Sequence, residues 1–280
     1  MKLNKAEIIL LFTTLIWGLT FPLIKGAVSK VSPFAFLSMR FFLASLVLLF
    51  FTRLKLKREN IIWGVLIGFF LFMGMASQTI GLIFTKASRS GFITGFLVFI
   101  VPILNYIIFR KKSSIFSLTG VLLAITGLYL LLSPEGGGFN IGDLLTLLSA
   151  LFFAFQVIFI EHSTNRYEEN TIVTVQIFTT FLLSFIFSLT REKWNFKIDT
   201  EILIAVIITG IFATSIAFIL QGKFQRETTA TRAGIIYSME PVFAFLFSSL
   251  ILGETLPEKG IMGGFLVFLG MLISNFEKKD

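Results

Sequence analysis

The chain reads as an all-α integral membrane protein of ten transmembrane helices, and two observations predict this. Of its 280 residues 55% are hydrophobic and only 14% charged, with a mean hydropathy of +0.90, whereas soluble domains run nearer 25% charged. The apolar residues also fall into runs of about 20, the length a hydrocarbon core demands. Ten such runs leave about 80 residues for the loops and tails, roughly seven apiece, too few for any of these segments to fold alone. A separate soluble catalytic or ligand-binding domain is therefore excluded.

The first run, Ile8–Ile24, follows Lys2 and Lys5 in the manner of a signal peptide, but no small-residue cleavage site precedes Trp17 and Phe21. It is read as an uncleaved first span. The second, Pro33–Phe51, carries Arg40; the third, Ile61–Thr85, carries Gln78; the fourth, Ser90–Phe109, carries Pro102 and Asn105. The fifth, Ser113–Pro134, contains Gly120 and Gly127 and runs into Pro134-Glu135-Gly136-Gly137-Gly138, a helix-breaking linker. Beyond it come Leu144–Ile160 with Gln156, Asn170–Thr190 with Gln176, and Ile202–Gly222 with Gln221. Ala233–Gly253 holds Tyr237, Glu240 and Pro241, and Gly260–Phe276 holds Gly263, Gly264 and Gly270.

Charge gives the orientation. With the N-terminus in the cytoplasm, 15 basic residues fall on the inner side, Arg53, Lys55, Lys57, Arg58 and Arg110–Lys112 among them, against 8 on the outer side. Arg40, inside a span, completes the 24. The positive-inside rule then places both termini in the cytoplasm and the chain in the cytoplasmic membrane. The net charge of +8 is spread over span ends and forms no single basic face, so it implies lipid headgroups as partners and no nucleic acid. The absence of cysteine excludes disulfides and thiolate metal sites.

An internal repeat is visible. Lys86-Ala87-Ser88-Arg89-Ser90-Gly91-Phe92-Ile93 precedes Pro102, and Thr229-Ala230-Thr231-Arg232-Ala233-Gly234-Ile235-Ile236 precedes Pro241. Each is followed by a helix, a short polar turn and a Gly-rich last helix, which divides the chain into a first five-span half, 1–134, and a second, 139–280. An odd number of spans per half makes the second half enter the membrane from the opposite side. The spacing to proline differs by about one helical turn between the halves. Paired on their prolines, Val101 stands where Glu240 does.

Several short motifs carry a family resemblance over the whole chain. They are Trp17-Gly18-Leu19-Thr20-Phe21-Pro22-Leu23-Ile24-Lys25, the Arg40-Phe41 pair, and Gln78 with Gly81-Leu82. Tyr237-Ser238-Met239-Glu240-Pro241 follows, then Leu252-Gly253-Glu254. In this order the chain resembles the EamA branch of the drug/metabolite transporter superfamily. The resemblance implies ten helices as two inverted five-helix repeats around a central cavity, cytoplasmic termini, and export of small metabolites such as amino acids.

The candidate site residues are Trp17, Phe21, Pro22, Arg40, Gln78, Gln156, Gln221, Tyr237 and Glu240. Arg40 and Glu240 are the two ionisable side chains well inside the spans, and a charge among lipid tails is costly enough to suggest function. Each has a structural alternative: Arg40 as a residue bonded to helix-end carbonyls, Glu240 as a neutral acid bonded to a neighbouring helix. Measured from their own span starts on opposite faces, they lie roughly 10 Å apart in depth, so they are not read as an ion pair. Amides and phenols turn inward because lipid offers them no partner; Gln78 and Tyr237, beside repeat motifs, are the strongest cavity candidates. Trp17 is too deep for an interfacial belt, and Pro22 frees a backbone carbonyl. The pair reads either as a packing kink or as a hinged gate.

The 36 phenylalanines are read as lipid-facing and packing residues, the lone His162 as no metal site, and the GxxxG spacings at Gly64/Gly68, Gly91/Gly95 and Gly260/Gly264 as close helix packing. No nucleophile–base–acid set, Walker loop or HExxH is present, so no cofactor and no ATP are implied. The partners expected are a small-molecule substrate, protons and lipids. The rival reading is a membrane-embedded enzyme of lipid metabolism, for which Glu161, His162 and Glu168 are the available titratable groups.

Overall fold

The computed structural model describes residues 4–131, 140–194, 197–253 and 258–274. The linker Pro134–Gly138, Glu254 and the terminal Lys2, Lys278 and Lys279 lie outside these residues. Among the described residues the chain is helical, without strands. In order the helices are α1 (Lys5–Val28), α2 (Pro33–Phe51), α3 (Arg58–Phe84), α4 (Ala87–Gly95), α5 (Leu97–Phe109), α6 (Ile115–Leu131), α7 (Ile141–Thr164), α8 (Glu169–Arg191), α9 (Thr200–Ile207), a π-helical segment (Ile208–Ile216), α10 (Ala217–Gln225), α11 (Ala230–Tyr237), α12 (Glu240–Leu252) and α13 (Glu258–Ser274).

Among the described residues eight spans are long and apolar enough to cross a membrane: α1, α2, α3, α4 with α5, α7, α8, α9 through α10, and α11 with α12. The helices at the expected fifth and tenth spans, α6 and α13, have 17 residues each. At 1.5 Å per residue each is about 25 Å long, short of a core of about 30 Å; Ser113 and Ser114 precede α6 outside any helix, and residues 132–134 and 275–276 of those two expected spans lie outside the described residues.

Helix ends are set by capping more than by hydropathy. Asn4 and Asn140 each form a reciprocal capping box with the third residue of their helices, Glu7 and Asp143. Thr229 caps α11, so that span starts at Ala230, three residues earlier than hydropathy suggests. α10 likewise runs on to Gln225, past the expected end at Gly222. The C-caps of α5 and α12, Arg110 (φ 55°) and Gly253 (φ 66°), are both left-handed.

These boundaries fix the repeat register. α5 and α12 both have 13 residues and start 143 positions apart; α1 and α7 both have 24 and start 136 apart. The residue of the first half that corresponds to Glu240 is therefore Leu97, and the pairing of Glu240 with Val101 through the two prolines is corrected. The prolines themselves are not equivalent: each lies beyond its own helix break, at Phe96 or at Ser238-Met239.

Packing follows the same two-fold logic. α6 lies against α13, its counterpart, with glycines at the crossing: a Cβ on Gly270 would stand 2.6 Å from the Gly120 carbonyl oxygen. Such contact between backbones is how small residues hold membrane helices together where apolar burial gives no drive. α2 likewise packs on its own counterpart α8, while α1 on α12 is matched by α7 on α5 and α4 on α7 by α11 on α1. Gly18 of α1 lets α12 approach so closely that a Cβ there would lie 2.5 Å from Phe243 Cβ. Large apolar side chains such as Phe12, Phe50, Phe51, Leu122 and Leu250 face outward, as a lipid-exposed surface requires.

The ion pairs sort to the two ends of the bundle. Lys111–Glu161, Arg226–Glu169 and Arg232–Glu7 lie at the face where α1 begins, here called the amino-terminal face. Arg89–Asp143 and the pairs of Lys30 with Asp199 and Glu201 lie at the opposite face. There Glu192 also accepts from the backbone N–H groups of Phe34 and Ala35, closing the start of α2. The Lys30 hydrogen bond holds the Asp199 carboxyl below the usual carboxylate range.

Candidate functional site

A central cavity opens where the helix breaks converge. Trp17 and Thr20 line it from α1, Arg40 from α2, Met75 and Gln78 from α3, Leu97 from α5 and Phe153, Gln156 and Val157 from α7. Phe218 and Gln221 of α10, Tyr237 of α11 and Glu240 of α12 complete the far wall.

The lining comes largely in repeat-related pairs. Trp17 corresponds to Phe153 and Thr20 to Gln156, 136 residues apart; Met75 corresponds to Phe218, Gln78 to Gln221 and Leu97 to Glu240, 143 apart. The fold thus builds a two-fold cavity from two inverted halves. The charges break the symmetry, since Arg40 has no cationic mate and Glu240 no acidic one.

Arg40 is 1% exposed, and its Nε donates to Thr214 Oγ1 at 2.9 Å. One terminal nitrogen of the guanidinium is buried without a hydrogen-bond partner. Glu240, at the first turn of α12, is half-buried, and among the described residues it forms no hydrogen bond or ion pair. Arg40 and Glu240 face the same cavity and act on one another electrostatically without forming a direct pair. The expected 10 Å difference in depth does not hold. With the ninth span starting at Ala230, Glu240 lies about 15 Å from the amino-terminal face and Arg40 about 10 Å from the opposite one, which across α2 leaves roughly 3 Å.

The π-helical segment explains how Arg40 and Trp17 are held. Its wider turns direct Thr214 Oγ1 to the Thr209 carbonyl (2.7 Å), and the same oxygen receives Arg40. The Ala213 carbonyl accepts the Trp17 indole N–H at 2.9 Å. Such segments recur at functional sites because they leave backbone groups open to other partners. The Trp17 ring sits 5.5 Å from Phe218 and 5.3 Å, edge-on, from Tyr237, within the range of favourable aromatic geometry.

Toward the amino-terminal face the cavity ends in an amide network. Gln156 and Gln221 exchange hydrogen bonds at 3.0 and 3.2 Å, Gln221 donates to Gln225 Oε1, and the Tyr237 hydroxyl donates to the same oxygen at 3.0 Å. Gln225 in turn donates to the Val157 carbonyl at 2.6 Å. Gln78 donates to Thr94 Oγ1.

Of the sequence candidates, Trp17, Arg40, Gln78, Gln156, Gln221, Tyr237 and Glu240 share this cavity. Phe21 and Pro22 do not: both are buried in the packing of α1, Phe21 beneath Gly91 and Ala244. The sequence reading missed Thr20, Met75, Phe153, Phe218, Thr214 and Gln225. The repeat register would have found Thr20 and Phe153, which sit 136 residues from the candidates Gln156 and Trp17, whereas Met75 and Phe218 are mates of one another. The groups available to the enzyme reading are held apart: Glu161 pairs with Lys111, His162 stacks on Phe109 at 4.2 Å, and Glu168 caps α8.

Residues 4–133 and 140–276 each match the model of the EamA-like transporter family. The chain belongs to that family. An uncharacterized transporter of Archaeoglobus fulgidus is 39% identical to this EamA-like chain over 268 residues, covering 96% of it and 85% of the relative. An S-adenosylmethionine/S-adenosylhomocysteine transporter of Chlamydia muridarum is 26% identical over 293 residues, covering 96% and 89%. A crystal structure with 17% sequence identity superposes with a TM-score of 0.79 over 97% of this chain and 96% of the other, a likeness of fold. The protein is a multi-pass membrane transporter of two inverted repeats.

Proposed function

We propose that this protein is a secondary transporter that works by alternating access and exports amino acids or similar small metabolites across the cytoplasmic membrane, with both termini cytoplasmic. Its halves are 1–134 and 139–280, and its substrate is held by Trp17, Arg40, Gln78, Gln156, Gln221, Tyr237 and Glu240. The observation that carries the reading is a cation and an acid, Arg40 and Glu240, facing one cavity from different halves with neither satisfied by the other. Leaving a buried guanidinium nitrogen unpartnered costs stability, and a substrate carboxylate would supply the partner. An ammonium would meet Glu240, and a side chain would lie on Trp17, Phe218 and Tyr237. S-adenosylmethionine, named for one relative, carries an α-amino acid end of this kind. Proton coupling belongs to Glu240, since the acid can hold either the substrate ammonium or a proton.

Purified protein in liposomes, tested against a panel of amino acids, amines, organic acids and S-adenosylmethionine, should transport solutes bearing both an ammonium and a carboxylate. Glu240→Gln keeps the shape and should abolish pH-driven accumulation while permitting downhill exchange. Uptake of uncharged solutes alone, or full pH-driven uptake by Glu240→Gln, contradicts the proposal.

A further inference from the structure

Two ion pairs at opposite faces of the bundle are copies of one another under the repeat. Glu7 and Asp143 are the third residues of α1 and α7, and each sits in a capping box with an asparagine, Asn4 or Asn140. Arg89 and Arg232 are the third residues of α4 and α11 and occupy the same place in the duplicated motif. Arg89 binds Asp143, and Arg232 binds Glu7. Each pair therefore joins an arginine from one half to an acid from the other, and the inverted topology puts one pair at each membrane face.

We infer that Arg89–Asp143 and Arg232–Glu7 are the two gate locks of the transporter, the first closing the cavity to the opposite face and the second closing it to the amino-terminal face. The inference rests on the alternating-access reading. Each pair lies on elements that must part for its face to open: α4 against α7 on one side, α11 against α1 on the other. Both acids are buried, Asp143 at 0% and Glu7 at 1% exposure, so parting the pair exposes a charge that the closed state shields. The capping boxes fix the geometry, because the asparagine backbone N–H takes one carboxylate oxygen at 2.9 to 3.0 Å; Arg232 takes the other oxygen of Glu7, and Arg89 reaches both oxygens of Asp143. Both locks are engaged in this structure.

The two locks are not equally strong. Asp143 accepts two hydrogen bonds from Arg89, at 2.8 and 2.9 Å, one from Thr85 Oγ1 at 3.0 Å and one from the Asn140 N–H. Glu7 accepts from the Asn4 N–H and from Arg232. A bidentate guanidinium–carboxylate pair with a further donor is the stronger arrangement. The amino-terminal face is therefore the one that opens more readily.

The test uses the full chain, which lacks cysteine, with Val157→Cys as a reporter on the cavity wall and an impermeant thiol reagent added to one face of sealed vesicles at a time. Lys57→Cys and Ser29→Cys identify the faces. Glu7→Gln and, independently, Arg232→Gln should raise reporter labelling from the amino-terminal face and lower it from the opposite face, changing the ratio about tenfold for each 1.4 kcal/mol that the lock contributes. Asp143→Asn and Arg89→Gln should shift the ratio the other way, and by more. Glu7→Gln with Asp143→Asn should return it toward that of the parent. Equal increases from both faces, or no change, overturn the inference. Labelling needs no substrate, so a failure to find a transported solute leaves this result standing, while transport without opposite shifts refutes the locks alone.

Discussion

Thr214→Val isolates what holds the cavity's cation in place. The substitution keeps the volume and removes the one side-chain oxygen that accepts from Arg40, at 2.9 Å. The guanidinium is 1% exposed and already carries an unpartnered nitrogen, so no solvent stands ready to replace the bond. Hydrogen bonds to charged groups contribute roughly 1.5–3 kcal/mol, and each kcal/mol shifts the melting temperature of a chain this size by about 2–4 °C. The unliganded variant should therefore melt about 3 to 12 °C lower. Thr214→Ser, which keeps the hydroxyl, should stay within about 2 °C of the parent, since it also preserves the bond to the Thr209 carbonyl. A carboxylate-bearing substrate should raise the melting temperature of Thr214→Val by at least as much as that of the parent, because it supplies the partner that Arg40 lacks. A thermal scan of detergent-solubilised protein, with and without substrate, reads both effects. If Thr214→Val melts like the parent, Arg40 is not held by this bond and the account of the π-helical segment fails.

Four further outcomes are expected. Single cysteines at Ser29 should react with impermeant reagent added outside cells and those at Lys57 should not, and the reverse pattern would overturn cytoplasmic termini. Gln225→Leu removes the acceptor for Tyr237 and Gln221; it should cost about 1–3 kcal/mol in unfolding experiments and weaken substrate binding. Arg110→Gly places at the left-handed end of α5 the residue that α12 already uses there, and should stabilise the protein by roughly 0.5–1 kcal/mol, measured by chemical denaturation. Leu97→Glu introduced into Glu240→Leu should recover part of the substrate affinity that Glu240→Leu loses, measured by direct binding, since the two positions are related by the repeat.

Hydropathy made the membrane fold legible because lipid selects long apolar runs with little regard to tertiary detail. It misplaced the ends of spans for a physical reason. α7 continues through Glu161 to Thr164 and α10 through Gln225 because those polar residues have partners inside the bundle, Lys111 for one and the Tyr237 network for the other. A buried, satisfied polar residue looks like a loop in composition alone. Arg40, Glu240 and the large amides were legible because a charge or amide inside a span has few innocent places to go. Thr214 was not, since nothing in Ile208–Ile216 distinguishes a π-helical segment from an α-helix until a neighbour takes up its spare carbonyl. Phe153 and Phe218 were hidden among 36 phenylalanines, and the proline pairing displaced the register that sets Phe153 at the place of Trp17.

The corrected register shows how a duplicated fold acquires a direction. If both halves were chemically equivalent, the cavity between them would accept a dipolar solute equally well in two orientations related by the two-fold axis. Contacts favouring release to one face would then be mirrored by contacts favouring release to the other. Here Arg40 has Gln176 at the corresponding place and Glu240 has Leu97, so under the proposed function one end of the solute is matched to α2 and the other to α12. The gates repeat this pattern: both halves supply an arginine and an acid, yet the donors around Asp143 outnumber those around Glu7. α6 packs on α13 and α2 on α8 across the two-fold axis, the symmetric arrangement that the proposed alternating access would use. The few residues that depart from the repeat then choose how the solute lies and which face opens first.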